Sequence, residues 1–161
     1  MHSFCLSFLI WACNTARQPF GNNSSLVERP SEHIPIASPP EAVFFIAEEA
    51  LQLKSVWRSV ETPERALLVL YEGPTEEEAE RGIGFLSCGS TGAKLISLEK
   101  GLAIVQLEGS CGGCGALGIY DSILATLKQF STISYVHVLD PQGKTQKVSL
   151  TQDARPGCLE P

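Results

Sequence analysis

Thr62-Pro63-Glu64-Arg65-Ala66-Leu67-Leu68-Val69-Leu70-Tyr71-Glu72-Gly73-Pro74-Thr75-Glu76-Glu77-Glu78 is the stretch that decides how this chain folds. Thr62 is a side-chain acceptor placed to cap a helix, and Pro63 fits the first turn, where no intrahelical N–H is needed. Glu64 sits at the positive end of the helix dipole. Ala66, Leu67, Leu70 and Tyr71 recur at helical spacing and make one apolar stripe. Gly73-Pro74 ends that helix. Thr75 and Glu78 then form a second capping box, predicting a short acidic helical turn to about Arg81.

Working outward, Ala42-Val43-Phe44-Phe45-Ile46-Ala47 reads as a buried strand, and Ser55-Val56-Trp57-Arg58-Ser59-Val60 as a second, more mixed one. Lys94 to Leu98 and Leu102 to Leu107, linked by Glu99-Lys100-Gly101, read as a hairpin. Beyond the glycine-rich stretch 109–118, Tyr120, Ile123, Leu124, Leu127 and Phe130 keep one helical face apolar. Tyr135 to Leu139 follows as a strand, and Lys147 to Leu150 as a short edge strand. Two helical stripes and a half-apolar sheet can bury one another. The expected fold is therefore α+β, a two-layer sandwich with two helices on one face of a small mixed sheet.

Of the 161 residues, 12 are Lys or Arg and 18 are Asp or Glu, a net charge of −6. That balance disfavours a nucleic-acid partner, whose phosphates are bound by clustered Lys and Arg. No apolar run approaches the roughly 20 residues of a membrane-spanning helix. Residues 14–40 carry Gly21-Asn22-Asn23-Ser24-Ser25 and five prolines (Pro19, Pro30, Pro35, Pro39, Pro40) without an apolar period, so they read as a flexible spacer. The folded domain is expected over 41–150, with a tail at 151–161. Residues 1–13 hold a short apolar stretch with the length of a secretion signal. Within it, Leu9-Ile10-Trp11-Ala12-Cys13 resembles a bacterial lipobox, which implies lipidation of Cys13 and an extracytoplasmic, membrane-anchored or secreted protein.

The order of elements between Ala42 and Thr145 resembles the GerMN domain of bacterial sporulation and germination proteins. The resemblance rests on Ala42-Val43-Phe44-Phe45, Val56-Trp57-Arg58-Ser59-Val60 and Leu70-Tyr71-Glu72-Gly73-Pro74-Thr75-Glu76-Glu77-Glu78 followed by Gly82-Ile83. It continues through Leu95-Ile96-Ser97-Leu98, Gly101 to Leu107, Leu127-Lys128-Gln129-Phe130 and Tyr135-Val136-His137-Val138. It implies a ring-building type of fold without catalysis, exported and often on a lipoprotein, that assembles with an envelope protein or cell-wall partner. It implies no cofactor, a membrane link through the lipid anchor alone, and scope for oligomers. The chain departs from the family in carrying one copy where some relatives have two. It also departs in the loop Cys111-Gly112-Gly113-Cys114.

Of six cysteines, Cys5 and Cys13 belong to the leader, leaving Cys88, Cys111, Cys114 and Cys158. An even set in an exported domain points to disulfides, with three connectivities open. The expected pairs are Cys111–Cys114 and Cys88–Cys158, the second fastening the tail. Two rivals use the same residues. Cys111 and Cys114 would serve a thiol–disulfide oxidoreductase, the alternative function, although Gly115 to Gly118 separates them from a helix N-terminus that could activate a thiol. All four would make a thiolate zinc site, but only one pair has zinc-ribbon spacing. His33 and His137 lack neighbours at ligand spacing. Glu76, Glu77, Glu78 and Glu80 read as a solvated helix start, not a calcium loop. Ser110, Ser122 and Asp121 do not form a nucleophile elbow.

Overall fold

The computed structural model describes residues 42–47, 51–113 and 117–160. In chain order these form β1 (Ala42–Ala47), β2 (Gln52–Trp57), α1 (Pro63–Glu72), α2 (Glu76–Glu80), β3 (Ile83–Gly84), β4 (Ser90–Glu99), β5 (Leu102–Gly109), α3 (Ile119–Lys128), β6 (Tyr135–Leu139) and a closing 3-10 turn, Gly157–Leu159. The fold is α+β.

The helices start and stop where their residues dictate. The Thr62 hydroxyl accepts the Arg65 N–H at 3.2 Å, and Gly73, at φ +78°, turns the chain out of α1. Thr75 and Glu78 make the reciprocal capping box of α2. Ahead of α3, Gly118 has no side chain to offer, so the capping is one-sided: the Asp121 carboxylate accepts the Gly118 N–H at 3.0 Å. The β4–β5 turn uses Lys100 and Gly101, both at positive φ, as a two-residue hairpin with right-twisting strands requires. The Gly101 carbonyl then accepts the N–H groups of Ser134 and Tyr135, which fixes where β6 begins.

The strands divide into two sheets, β2-β1-β3 and β4-β5-β6, which corrects the expectation of a single mixed sheet. The reason lies at the second edge of β1. At Ile46 and Ala47 that edge pairs with the two-residue β3. Further back, α3 takes over: the Thr126 hydroxyl accepts the Phe44 N–H at 3.0 Å, and the Gln129 amide donates to the Ala42 carbonyl. The edge is thus satisfied by a helix, and the sheet stops there. The second strand also lies three residues earlier than expected. Its predicted end, Val60, is a buried core residue outside the strand.

A single apolar cluster joins the two sheets and both long helices. Ala66, Leu67, Val69 and Leu70 of α1 meet Ile119, Ile123 and Leu127 of α3, with Val43 and Phe45 from β1 and Ala103, Val105, Leu107, Val136 and Val138 from β5 and β6. The two stripes converge, as expected. Phe85 wedges edge-on between Phe45 and Tyr71, at centroid distances of 6.2 and 5.3 Å.

The expected edge strand at 147–150 is absent. The chain after Pro141 returns to β6 farther on, where Ala154 forms a parallel bridge to His137. The Ala154 N–H donates to the Val136 carbonyl and the Val138 N–H to the Ala154 carbonyl, both at 2.9 Å.

Candidate interaction surface

Alternation along β5 sends Ala103, Val105 and Leu107 into the core and Leu102, Ile104 and Gln106 to the opposite face. Register with β4 and β6 builds three cross-strand rows on that helix-free face: Lys94-Gln106-Leu139, Ser97-Ile104-His137 and Glu99-Leu102-Tyr135. A bulge between Leu95 and Ser97 pushes Ile96 outward, where it is half exposed. The tail supplies a wall in Leu150 and Thr151. With Leu102, Ile104 and Tyr135, and with Ser97, Glu99 and Lys100 beside them, they line an open groove of about 480 Å³ whose exposed surface is mainly apolar. Leu150 is 71% exposed. A sheet face turned to water is ordinarily polar, so this apolar stripe is a surface feature that calls for a partner.

A second groove, of about 260 Å³, lies beside exposed Trp57, with Val56 and Ile83 among Lys54, Glu78 and Arg81. A groove of about 470 Å³ is lined by Tyr120, Gln146, Asp153, Arg155 and Glu160. Its guanidinium is spoken for: Arg155 lies 4.4 Å above the Tyr120 ring and 3.6 Å from Asp121. Burial pushes the Tyr120 phenol above its usual pKa, an effect the Arg155 charge opposes. Burial likewise pushes the Tyr71 phenol up to about 12, against the opposing Ser90 bond at 2.8 Å, so it stays protonated at neutral pH.

The acidic turn is not wholly solvated. Glu76, Glu77 and Glu80 are exposed, but Glu78 is buried and accepts two hydrogen bonds from Arg58 and one from the Thr75 N–H. The Arg58 guanidinium, more than the capping contacts, holds this carboxyl down at about 2. Its place in the turn's sequence gave no sign of Arg58, twenty residues upstream.

The disulfide pairing differs from both expected pairs. Cys111 bonds Cys158, with Cα atoms 5.7 Å apart, and Cys88 is disulfide-bonded as well. The Gly112 N–H donates to the Cys88 carbonyl at 2.9 Å, so the loop after β5 already lies beside the residues leading into β4, and the returning tail brings Cys158 to it. Spacing along the chain could not reveal that return. The bond also takes two sulfurs out of the thiolate set a zinc site would need and removes Cys111 from pairing with its neighbour in the Cys-x-x-Cys motif. Cys13, Cys114 and His33 lie outside the described residues. Among the described residues no group of three or more His, Cys, Asp or Glu is arranged to hold a metal.

The remaining polar residues serve local structure. His137, buried in β6, bonds the Gln152 carbonyl through Nε2 at 3.0 Å. The Ser110 hydroxyl donates to the Gly89 carbonyl at 2.8 Å, while Ser122 is buried in α3 and Asp121 caps the same helix. Comparison with protein-family models, with curated proteins and with solved structures gives no match to this chain.

Proposed function

We propose that this chain is an exported, lipid-anchored module of the GerMN type that performs no chemistry and binds an envelope protein through the helix-free face of β4-β5-β6. The observation that carries the reading is the groove of Leu102, Ile104, Tyr135 and Leu150, apolar on a face that water would otherwise select to be polar. A sheet face with its strands held in register is a rigid platform, so docking on it needs little ordering of the module itself. Cysteines tied as a long-range disulfide favour an oxidising compartment, in keeping with export. The anchor at Cys13 and the spacer at 14–40 would give the domain reach from the membrane surface.

Affinity purification from crosslinked envelopes tests this, comparing the wild type with an Ile96→Glu/Leu150→Glu variant. Both side chains are exposed, so the variant is expected to keep its far-UV circular dichroism. One envelope protein should be recovered with the wild type and fall at least about tenfold with the variant. Equal recovery with both proteins would overturn the assignment of this face.

A further inference from the structure

We infer that the Cys111–Cys158 disulfide is a redox-operated clasp: its reduction frees residues 144–160 from the outer edge of β6 and opens the adjoining groove. The tail covers that edge like a strap. The Ala154 bridge uses the Val136 carbonyl and the Val138 N–H, and the Asp153 carboxylate accepts the Val136 N–H at 2.9 Å. Each outward-facing polar group of β6 that the strap satisfies would otherwise be open to a new strand.

The strap's own hold is thin. It contributes one bridge of ladder, the Asp153 and Gln152 oxygens bonded to the Val136 N–H and the His137 ring, the Lys128–Asp153 pair at 2.5 Å, and Arg155 set against Tyr120 and Asp121. Ala154, Pro156 and Leu159 are its buried residues, of which Leu159 joins the main apolar cluster, while Ser149, Leu150, Thr151 and Gln152 are exposed. Segments with few buried apolar contacts open at lower free energy than the core. The disulfide sits next to Leu159 and keeps that anchor at high effective concentration over its seat. Removing the tether leaves contacts that reform only against the entropy of a free chain end. Because Leu150 and Thr151 wall the groove, the same release alters the binding face.

The reductant is a dithiol. Its thiolate attacks one sulfur of the half-buried bond, the Cys111–Cys158 bond breaks, and a mixed disulfide forms. The second thiol of the reductant displaces the protein sulfur, so two electrons and two protons pass to Cys111 and Cys158 and the dithiol leaves as a disulfide.

Amide hydrogen exchange on the full chain reads the outcome in oxidised protein, in protein treated with dithiothreitol, which reduces the Cys88 disulfide as well, and in a Cys111→Ser/Cys158→Ser variant, which keeps that second bond and isolates the clasp. Val136 and Val138 amides are expected to exchange at least about tenfold faster in the latter two, with Ala103 and Val105 in β5 and the amides of α1 and α3 unchanged. Trypsin should also cut faster at Lys144 and Lys147 after release. Unchanged protection of Val136 and Val138 would overturn the clasp. So would loss of protection throughout β5, α1 and α3 in the variant, which would make the bond a staple of the whole domain; if the serine variant fails to fold, Cys111→Ala/Cys158→Ala with the Cys88 disulfide kept decides between these outcomes.

Discussion

Replacing Glu78 with glutamine removes the charge that pins α2 to the end of β2 and leaves the shape nearly unchanged. In the wild type, Arg58 Nη1 donates to Oε1 at 2.6 Å and Nη2 to Oε2, while the Thr75 N–H donates to Oε2 at 2.8 Å. These contacts hold the carboxyl at about 2, against an ordinary 4.5. At about 1.4 kcal/mol per unit, that shift sets an upper limit of about 3 kcal/mol. Arg58 keeps one side toward solvent, and screening there reduces the expected contribution to about 1–2 kcal/mol. The sign follows from the lowered pKa: the stabilisation is complete above pH 4.5 and disappears as pH falls toward 2. Urea unfolding followed by circular dichroism should therefore separate wild type and Glu78→Gln by about 1–2 kcal/mol at pH 7, and the gap should close on acidification. A cycle with Arg58→Met should return a coupling of similar size. A gap independent of pH, or a coupling under about 0.5 kcal/mol, would refute the assignment.

Thr126→Val keeps the volume of the buried α3 side chain but strands the Phe44 N–H on the edge of β1; a loss of about 1–3 kcal/mol is expected in chemical unfolding. Gly73→Ala meets no atom within 4 Å, so its effect is backbone strain alone at φ +78°, about 1–3 kcal/mol, read as a lower melting temperature. Leu67→Ala empties a fully buried position between the helices and should cost about 2–5 kcal/mol in the same assay.

Local chemistry was readable wherever one residue decides one geometry. Thr62 with Pro63, Gly73, and Thr75 with Glu78 placed the ends of α1 and α2, and the spacing of Ile123, Leu127 and Phe130 placed α3 and its buried face. What escaped depends on contacts between distant segments. The division into two sheets turns on Thr126 and Gln129 reaching the β1 backbone, and polar residues within an amphipathic pattern carry no mark of such a task. The two-residue β3 is too short to show alternation. The tail pairs with β6 through Ala154, a residue without strand preference, and the Cys111–Cys158 bond follows from that return. Glu78 stands out in the sequence as the capping partner of Thr75, but nothing there marks its pairing with Arg58. On the candidate surface, Leu102, Ile104 and Tyr135 were visible as strand residues, but the apolar groove needed the register of three strands and the approach of Leu150.

The most direct test of the central claim is photocrosslinking in intact cells, with the reactive side chain at Leu150 beside the groove and, in parallel, at exposed Leu68 on α1. The proposed docking face predicts a discrete adduct with one envelope protein from position 150 and none from position 68. Adducts of equal yield at both positions, or none at position 150, would contradict it.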